Sequence, residues 1–515
     1  MKRVLGFAAL LVFAYTACAE VPRPVGQAFV DANVPLHSVS LVVQEVGAAR
    51  PLFAHDPTRP MNPASVMKLV TTFAALELLG RDYRWKTEAY LGGPLVDGVL
   101  HGDLIIKGYG DPKITIEQWQ SFMAVLRAKG LDRVAGDLAL DRTWFKPGKH
   151  DPAEFDKEPL KPYNVGPDAL LVSFNSVRFV FAPNAAGDAV ELRSEPALAE
   201  VALGAPPRIG NGDCGDWRGA VGARFVNRGA TASAAFAGSF AASCGERDWY
   251  VALLDHPHFA FGMFSTYFRE AGGFFNGGLR DVYAPSGVPP FATLESPPLY
   301  DIVRDVNKLS NNVMARQIFL TLATTRHPPP ATPALAADVV QRFLKERRIP
   351  MPGLVMENGS GLSRNERVTA GGLAQLLAAA DRSAAREEFA SSLAVAATDG
   401  TVQKRFQNGN VAGQALLKTG TLEGVKALAG YVIDAESRRW IVVAIINHPS
   451  AARGQAALDA LVQWVYRSAG TWDPKTERCA PKDRLEARLA PPGVSERMAR
   501  GDPFLDAGNR FAVLV

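Results

Sequence analysis

One serine and one lysine lie a helical turn apart where a loop-like segment gives way to an apolar helix, in NPASVMKLVTTFAALELLG (residues 62–80). The spacing of Ser65 and Lys68 places both side chains on the same face of a helix. A serine hydroxyl is a weak nucleophile until a base takes its proton, and a lysine is such a base only when burial or a second cation lowers its pKa. The apolar run after Lys68 would supply the burial. The pair indicates nucleophilic catalysis, with an ordinary helix start as the alternative.

A second group with chemical potential is LLKTGT, in which Lys418, Thr419, Gly420 and Thr421 end a predicted strand. On a strand, Lys418 and Gly420 face one side and Thr419 faces the other. Lys418 would offer a cation to a substrate carboxylate and would lower the pKa of Lys68. Gly420 would let an extended substrate backbone approach closely. An ordinary hairpin strand is the alternative.

A third group, Ser-x-Asn, occurs three times, at 173–175, 310–312 and 363–365. The first lies in the alternating run ALLVSFNSVRF, which predicts a strand. Ser310 and Asn312 interrupt two helical runs, so that their side chains could project from a turn into a cleft. This placement favours Ser310 and Asn312 as partners of Ser65 and Lys68.

The sequence lacks the motifs that are typical of several other kinds of catalytic or binding site. The histidines include no His-Glu-x-x-His stretch, and the close pair His256 and His258 is interpreted as part of a strand or turn, not as metal ligands. The sequence has no Gly-x-Ser-x-Gly elbow, no Gly-x-x-x-x-Gly-Lys phosphate loop and no convincing dinucleotide fingerprint. Its 56 Lys and Arg residues are scattered among 52 acids without a basic stripe, which argues against a nucleic-acid partner.

The order of helical and strand-like segments predicts an α+β fold. Two strands and the Ser65 helix come first, short alternating runs follow, and residues 183–260 are rich in small residues. From residue 292 onward amphipathic helices lead into three strands and a last helix. A chain of 515 residues is too long for one compact core. The pattern therefore predicts a first domain that is split by a large β-rich insertion.

The first twenty residues are typical of a secretory signal peptide. A basic start precedes an apolar stretch at residues 5–14 that is too short for a membrane span, and small residues surround Cys18. We expect export to the periplasm, with a buried N-terminal helix as the alternative. YTAC partly resembles a lipoprotein box, although Tyr15 stands where Leu is usual, so lipidation of Cys18 and peripheral membrane association are left open.

Export implies an oxidising compartment, in which cysteines pair. Removal of the signal peptide would leave Cys214, Cys244 and Cys479. Cys214 and Cys244 lie in one Gly- and Ala-rich region, and we expect a disulfide between them; two free thiols are the alternative. Cys479 lies in a polar tail without a neighbouring cysteine that would indicate a zinc site.

The order Ser-x-x-Lys, Ser-x-Asn, Lys-Thr-Gly resembles that of the serine penicillin-binding proteins and β-lactamases. Further similarity, to the class C penicillin-binding proteins or D-alanyl-D-alanine carboxypeptidase/endopeptidase family, lies in GYGDPKI, PYNVGPDALLVSFNSV, SPPLYDIVRDVNKLSNN, ENGSGLSR and TDGTVQKRF. The resemblance runs from about residue 21 to residue 469. Two positions depart from it: Asn358 stands where the family usually has Asp, and Arg316 follows Ala315 where the family tends to have Glu.

The resemblance implies an α/β/α sandwich, a transpeptidase-like domain whose antiparallel sheet is flanked by helices and which is interrupted by two nested β-rich domains. It implies the following limits: a signal peptide at 1–19, the catalytic domain at 22–86 and 287–470, one inserted domain at 87–183 and 267–286, a second inside it at 184–266, and a C-terminal extension at 471–515.

The implied activity is that of a serine D-alanyl-D-alanine carboxypeptidase with endopeptidase activity on peptidoglycan cross-links, which penicillin inhibits by acylation. Ser65 would attack the penultimate carbonyl group of the stem peptide, with Lys68 as general base. Ser310 would pass the proton to the leaving amine, and Asn312 would orient Lys68 and the substrate amide. No metal ion or cofactor is expected.

The same resemblance implies the substrate contacts. The backbone N–H groups of Ser65 and Thr421 would form the oxyanion hole, and Lys418, Thr419 and Thr421 would hold the terminal carboxylate. Arg364, within GSGLSR, is a candidate for binding an anionic side chain of the stem peptide. A β-lactamase or esterase on the same scaffold is one alternative, although the chain lacks the Glu-x-x-Leu-Asn stretch of class A β-lactamases. A wall-binding protein that is acylated without turnover is another. The oligomeric state stays open.

Overall fold

The computed structural model describes residues 21–407 and 409–472. The predicted signal peptide, Cys18, Cys479 and all but the first two residues of the predicted C-terminal extension lie outside the described residues. Among the helices of these two ranges, none combines the length and the hydropathy that a transmembrane span requires.

The opening part of the described chain forms two helices and two strands: α1 (Arg23–Asp31), β1 (Val39–Glu45), β2 (Phe53–His55) and α2 (Lys68–Leu79). Helix α2 is apolar on nearly every face, and nine of its twelve residues are buried, as expected of a helix in a core. A short 3₁₀ turn, Ala64–Met67, leads directly into α2. Ser65 therefore lies in the turn, and Lys68 begins the α-helix.

The middle of the chain is built mainly from short strands. Its helices and strands are β3 (Lys86–Leu91), β4 (Leu95–Val96), β5 (Val99–Leu100), β6 (Leu104–Gly108), α3 (Ile116–Ala128), β7 (Arg133–Val134), β8 (Leu138–Asp141), β9 (Val177–Pro183), β10 (Val190–Glu195), β11 (Val201–Leu203), β12 (Arg208–Gly210), α4 (Trp217–Val221), β13 (Ala223–Asn227), β14 (Ala232–Phe236), β15 (Ser239–Ala241), β16 (Arg247–Val251), α5 (His256–Glu270), β17 (Phe274–Phe275), β18 (Leu279–Asp281) and β19 (Ala292–Glu295).

These strands form separate small sheets over one continuous hydrophobic core. The sheets have the orders β18-β8-β6-β3-β19, β17-β7-β5-β4, β10-β9-β16, β11-β14-β13 and β12-β15. Strand β3, where this part of the chain begins, pairs antiparallel with β19, where it ends. The chain thus leaves and re-enters the rest of the fold at neighbouring positions, as an insertion requires. The domain limits given above stay predictions.

The last part of the chain is mostly helical and ends in a sheet. Its helices and strands are α6 (Leu299–Lys308), α7 (Asn312–Ala323), α8 (Pro333–Glu346), α9 (Ala370–Asp381), α10 (Arg386–Ser392), β20 (Ala394–Val395), β21 (Ala415–Leu422), β22 (Val425–Ile433), β23 (Arg439–Asn447) and α11 (Gln455–Ser468).

A six-stranded antiparallel sheet joins the two ends of the chain. Its order is β2-β1-β23-β22-β21-β20, and β1 pairs with β23 along its whole length. Alternate residues of the strands point to opposite faces: Ala427, Ala429 and Tyr431 of β22 belong to the core that contains α2 and α6 to α10, whereas Leu428 and Val432 belong to the core that contains α1 and α11. Helices therefore cover both faces, and the predicted α/β/α sandwich of class α+β is confirmed.

Two predictions of local structure are wrong. The run ALLVSFNSVRF is not a strand throughout, because residues 173–175 form a 3₁₀ turn with positive φ angles of 44°, 52° and 52°, and β9 begins only at Val177. The alternation of apolar and polar residues does not reveal a turn with positive φ angles. In this turn the Asn175 side chain donates to the carbonyl oxygen of Leu254. His256 and His258 open helix α5, which Asp255 caps by accepting from the His258 N–H, and do not lie in a strand or turn.

The predicted disulfide is present between Cys214 and Cys244, which are 30 positions apart. Replacing both cysteines with Ser is expected to lower the free energy of unfolding by about 2–4 kcal/mol, because the crosslink restricts the unfolded chain. Acylation by penicillin should be unchanged, since neither cysteine contacts the residues around Ser65. Thermal unfolding and penicillin labelling of the double variant check both statements; an unchanged unfolding midpoint would contradict the first.

Candidate active site

Lys68 is the centre of a buried hydrogen-bonded cluster. It is 0% exposed, and its Nζ lies 2.9 Å from Ser65 Oγ, 2.6 Å from Asn312 Oδ1 and 2.6 Å from the carbonyl oxygen of Ser360. A neutral amine has two N–H donors and one lone pair. Donation to Asn312 Oδ1 and to the Ser360 carbonyl leaves the lone pair to accept the hydroxyl proton of Ser65, which is the arrangement that a general base needs.

The surroundings favour the neutral form of this lysine. Burial, the positive charge of Lys418 and that of Arg316 lower the pKa of Lys68 well below its ordinary value, while the Glu366 carboxylate acts in the opposite direction. Desolvation and like charge both disfavour the protonated amine. Lys68 is thus placed to take a proton at a pH at which a solvated lysine is charged.

Ser310 and Lys418 form a second contact beside the first. Ser310 lies in the turn between α6 and α7 and has a φ of 60°. Lys418 Nζ donates to Ser310 Oγ at 2.7 Å and to the carbonyl oxygen of Thr419 at 2.9 Å. Burial lowers the pKa of Lys418 to about 7. The fold therefore links the Ser-x-Asn and Lys-Thr-Gly groups directly.

Strand β21 lies against the turn that carries Ser65. A Cβ atom on Gly420 would be 2.5 Å from the carbonyl oxygen of Pro63 and 3.1 Å from the backbone nitrogen of Ser65. The structure thus gives a reason for this glycine other than the expected approach of a substrate: a side chain would collide with the protein's own turn. Thr419 Oγ1 bonds Thr401 Oγ1 at 2.7 Å, and Thr421 is exposed.

Arg364 does not join the cluster around Lys68. Its guanidinium donates to the carbonyl oxygen of Glu423 at 2.9 Å and lies 4.6 Å from the centre of the Phe155 ring. Glu423 follows Thr421 closely in the turn between β21 and β22, so Arg364 lies near the end of the Lys-Thr-Gly strand. Its side chain is 46% exposed and remains accessible from solvent.

Several contributors to the site were not found from the sequence. Ser360 acts through its backbone carbonyl, which no residue letter reveals. Asn358 accepts from the Ser360 N–H and hydroxyl at 2.9 and 2.7 Å and so shapes the loop beside Lys68. Asn62 accepts from the Ala64 N–H at 2.9 Å and donates to the carbonyl oxygen of Ser363 at 2.8 Å. The position of Asn62, three residues before Ser65, is the feature of the sequence that could have indicated its role.

Within residues 21–407 and 409–472, no three His, Cys, Asp or Glu side chains gather as a metal site requires. A cavity of about 640 Å³ lies among Arg142, His150, Asp168 and His256. Of the site residues predicted from the sequence, none lines this cavity in the described part of the chain.

Comparison with known proteins gives matches over most of the chain. The model of the D-Ala-D-Ala carboxypeptidase 3 (S13) family matches residues 24–468. A D-alanyl-D-alanine carboxypeptidase of Actinomadura sp. (strain R39) is 29% identical over 456 residues, 85% of this chain and 83% of the relative. Penicillin binding protein 4 of Haemophilus influenzae has a similar fold, with a TM-score of 0.70 at 22% identity over 86% of this chain and 98% of that one. The same protein complexed with a β-lactam gives a TM-score of 0.65 at 21% identity, over 90% and 97% of the two chains.

Proposed function

This chain belongs to the D-Ala-D-Ala carboxypeptidase 3 (S13) family, and we propose that it is a serine D-alanyl-D-alanine carboxypeptidase and endopeptidase that acts through an acyl-enzyme at Ser65. The observation that carries the proposal is the hydrogen bond between Ser65 Oγ and the buried amine of Lys68. Peptidoglycan stem peptides and cross-links are the proposed substrates, and β-lactams the proposed acylating inhibitors.

In the proposed first step, Lys68 takes the proton of Ser65 while Oγ forms a bond to the penultimate carbonyl carbon of the stem peptide. The resulting oxyanion accepts from the backbone N–H groups of Ser65 and Thr421, and loss of one such donor typically costs about 2.7–4 kcal/mol. The C–N bond then breaks, and the leaving D-alanine amine gains a proton through Ser310. Water attacks the ester in the second step and frees Ser65.

The proposed substrate contacts rest on the family to which the chain belongs. Lys418, in contact with Ser310, and the hydroxyl groups of Thr419 and Thr421 hold the terminal carboxylate. Arg364, half exposed near the end of the same strand, binds an anionic side chain of the stem peptide. The family and the bond between Lys68 and Asn312 Oδ1 support an orienting role for Asn312.

Incubation of the purified protein with muropeptide monomers and cross-linked dimers tests this function. Free D-alanine from pentapeptides and monomers from dimers are the expected products. Turnover of penicillin with intact muropeptides would instead identify a β-lactamase, and stable labelling by penicillin with neither product would identify a wall-binding protein. Either of these two results would contradict the proposed peptidase.

The rate of acylation is expected to have a bell-shaped pH dependence. It should fall at acidic pH as Lys68 is protonated, at a pH below the ordinary range of a lysine because burial lowers this pKa. It should fall again above about pH 7 as Lys418 loses its proton. Lys418→Arg keeps a charge throughout this range and should retain the acid limb while losing the alkaline one. Measurement of kcat/KM for D-alanine release against pH checks this; an alkaline limb retained in the variant would contradict it.

Export to the periplasm is also part of the proposal, on the basis of the N-terminal residues 1–19. Fractionation of cells and N-terminal sequencing of the mature protein test it. A mature protein that begins near residue 20 and is released with the periplasmic fraction is expected. Retention in the cytoplasm with Met1 intact would contradict it.

A further inference from the structure

Glu366 is a buried carboxylate that has no part in the mechanism proposed above. Its residue is 0% exposed, and its Oε1 accepts from the backbone N–H groups of Glu357, Asn358 and Gly359 at 3.0, 3.0 and 3.1 Å. Its Oε2 is buried and has no hydrogen-bond partner among the described residues. Burial of a carboxylate is costly unless its interactions repay the loss of water. One side chain therefore holds three successive amide groups in place.

The segment that Glu366 holds, the 357–360 loop, contacts helix α2 through two carbonyl groups. The carbonyl oxygen of Gly359 accepts from Thr71 Oγ1 at 2.6 Å, and that of Ser360 accepts from Lys68 Nζ at 2.6 Å. Gly359 is also packed against α7, because a Cβ atom on it would lie 2.7 Å from the Phe319 side chain. Because the Ser360 carbonyl accepts one N–H of Lys68, the position of this loop helps to determine the direction in which the lone pair of the neutral amine points.

Three charged groups face Lys68 from the elements around it: Arg316 from α7, Lys418 from β21 and Glu366 from the segment after the 357–360 loop. Arg316 is 6% exposed, and its guanidinium donates to the carbonyl oxygen of Val165 at 2.6 Å. Arg316 lowers the pKa of Lys68 and Glu366 raises it. Two buried side chains of opposite charge thus act on the same amine without touching it.

We propose that Glu366 is a positioning residue for Lys68, whose carboxylate fixes the 357–360 loop so that the Ser360 carbonyl accepts one amine proton and the lone pair is directed at Ser65, while Arg316 balances the carboxylate charge. The inference rests on the proposed function, because it assumes that Lys68 is the base. It adds a residue 298 positions from Lys68 in the sequence that acts only through backbone groups of the loop.

The charge part of the proposal is tested by the pH dependence of acylation with a fluorescent penicillin. Glu366→Gln keeps an oxygen for the three amides and removes the charge, so the acid limb should move to lower pH. Arg316→Gln removes a nearby positive charge, so the acid limb should move to higher pH. Glu387→Gln is the matched control, because this exposed carboxylate lies on α10, outside the 357–360 loop, and should leave the limb unchanged. Equal limbs in wild type, Glu366→Gln and Arg316→Gln would overturn the proposal.

The positioning part is tested by Glu366→Ala, which leaves the three amides without an acceptor. The acylation rate should fall by about 10²-fold, the usual size for a displacement of catalytic groups by about 1 Å. Hydrogen–deuterium exchange of the amides of residues 357–359 should become faster in Glu366→Ala than in Glu366→Gln. Unchanged exchange would overturn the proposal.

The exchange measurement does not depend on peptidase activity, so the two hypotheses can fail separately. A wild-type protein that is acylated but releases no D-alanine would contradict the proposed function, and exchange together with the acid limbs would still decide the role of Glu366. A protein that releases D-alanine but shows no change of exchange in Glu366→Ala would contradict only the inference.

Discussion

Ser65→Ala is expected to abolish both the release of D-alanine from stem peptides and covalent labelling by penicillin. The variant lacks the oxygen that forms the ester, whereas the backbone N–H of residue 65 stays in place. The rate should fall by on the order of 10⁶-fold, as for removal of the nucleophile in another serine hydrolase. D-alanine release and labelling are measured at equal protein concentration.

The fold should tolerate this change, because the contact that the Ser65 hydroxyl makes in the described structure is the one with Lys68 Nζ. An unfolding midpoint close to that of the wild type is therefore expected, and the variant should still bind stem peptides non-covalently. If a folded Ser65→Ala protein were labelled by penicillin at the wild-type rate, the nucleophile would be a residue other than Ser65.

Lys68→Met is expected to slow acylation by about 10²- to 10⁴-fold, the range that general bases contribute. Methionine keeps the length of the side chain but offers no lone pair of sufficient basicity to take the proton of Ser65. Asn312 Oδ1 and the Ser360 carbonyl would each lose a donor, while the cost of burying an amine would disappear. The measurement is the second-order rate constant of penicillin labelling across the pH range.

Two further variants sharpen this result. Lys68→Arg keeps a cation beside Ser65 but supplies no base at neutral pH, so it should be as slow as Lys68→Met. Lys113→Met is a matched control, since Lys113 pairs with Asp305 and lies outside the cluster; it should label at the wild-type rate. Wild-type labelling by Lys68→Met or Lys68→Arg would contradict the assignment of Lys68 as the base.

The parts of the site that are close together in the sequence could be predicted from it. Ser65 and Lys68 are three positions apart, so helical geometry alone brings them into contact, and the apolar run behind Lys68 anticipated its burial. The placement of Ser310 between two helices was also foreseen, because the interruption of two amphipathic runs indicates a turn. The bond between Ser310 and Lys418 spans 108 positions and required the fold.

The unpredicted parts depend on backbone groups and on packing. The Ser360 carbonyl and the three amides held by Glu366 are backbone groups, which nearly every residue carries. The amino-acid type at these positions therefore does not reveal their role. Gly420 was expected to allow the close approach of a substrate backbone. In the structure it packs against the turn at Pro63, a contact that forms only when the sheet is assembled. The turn at residues 173–175 was mistaken for a strand because its alternating letters do not encode the sign of φ.

The central claim, that Ser65 is acylated with Lys68 as its base, is tested most directly by mass spectrometry of the intact protein after incubation with penicillin. The wild type is expected to gain the mass of one penicillin, and proteolysis should place the adduct on the peptide that contains Ser65. Ser65→Ala should keep its original mass under the same conditions. An adduct on another residue, or an unmodified wild type, would contradict the claim.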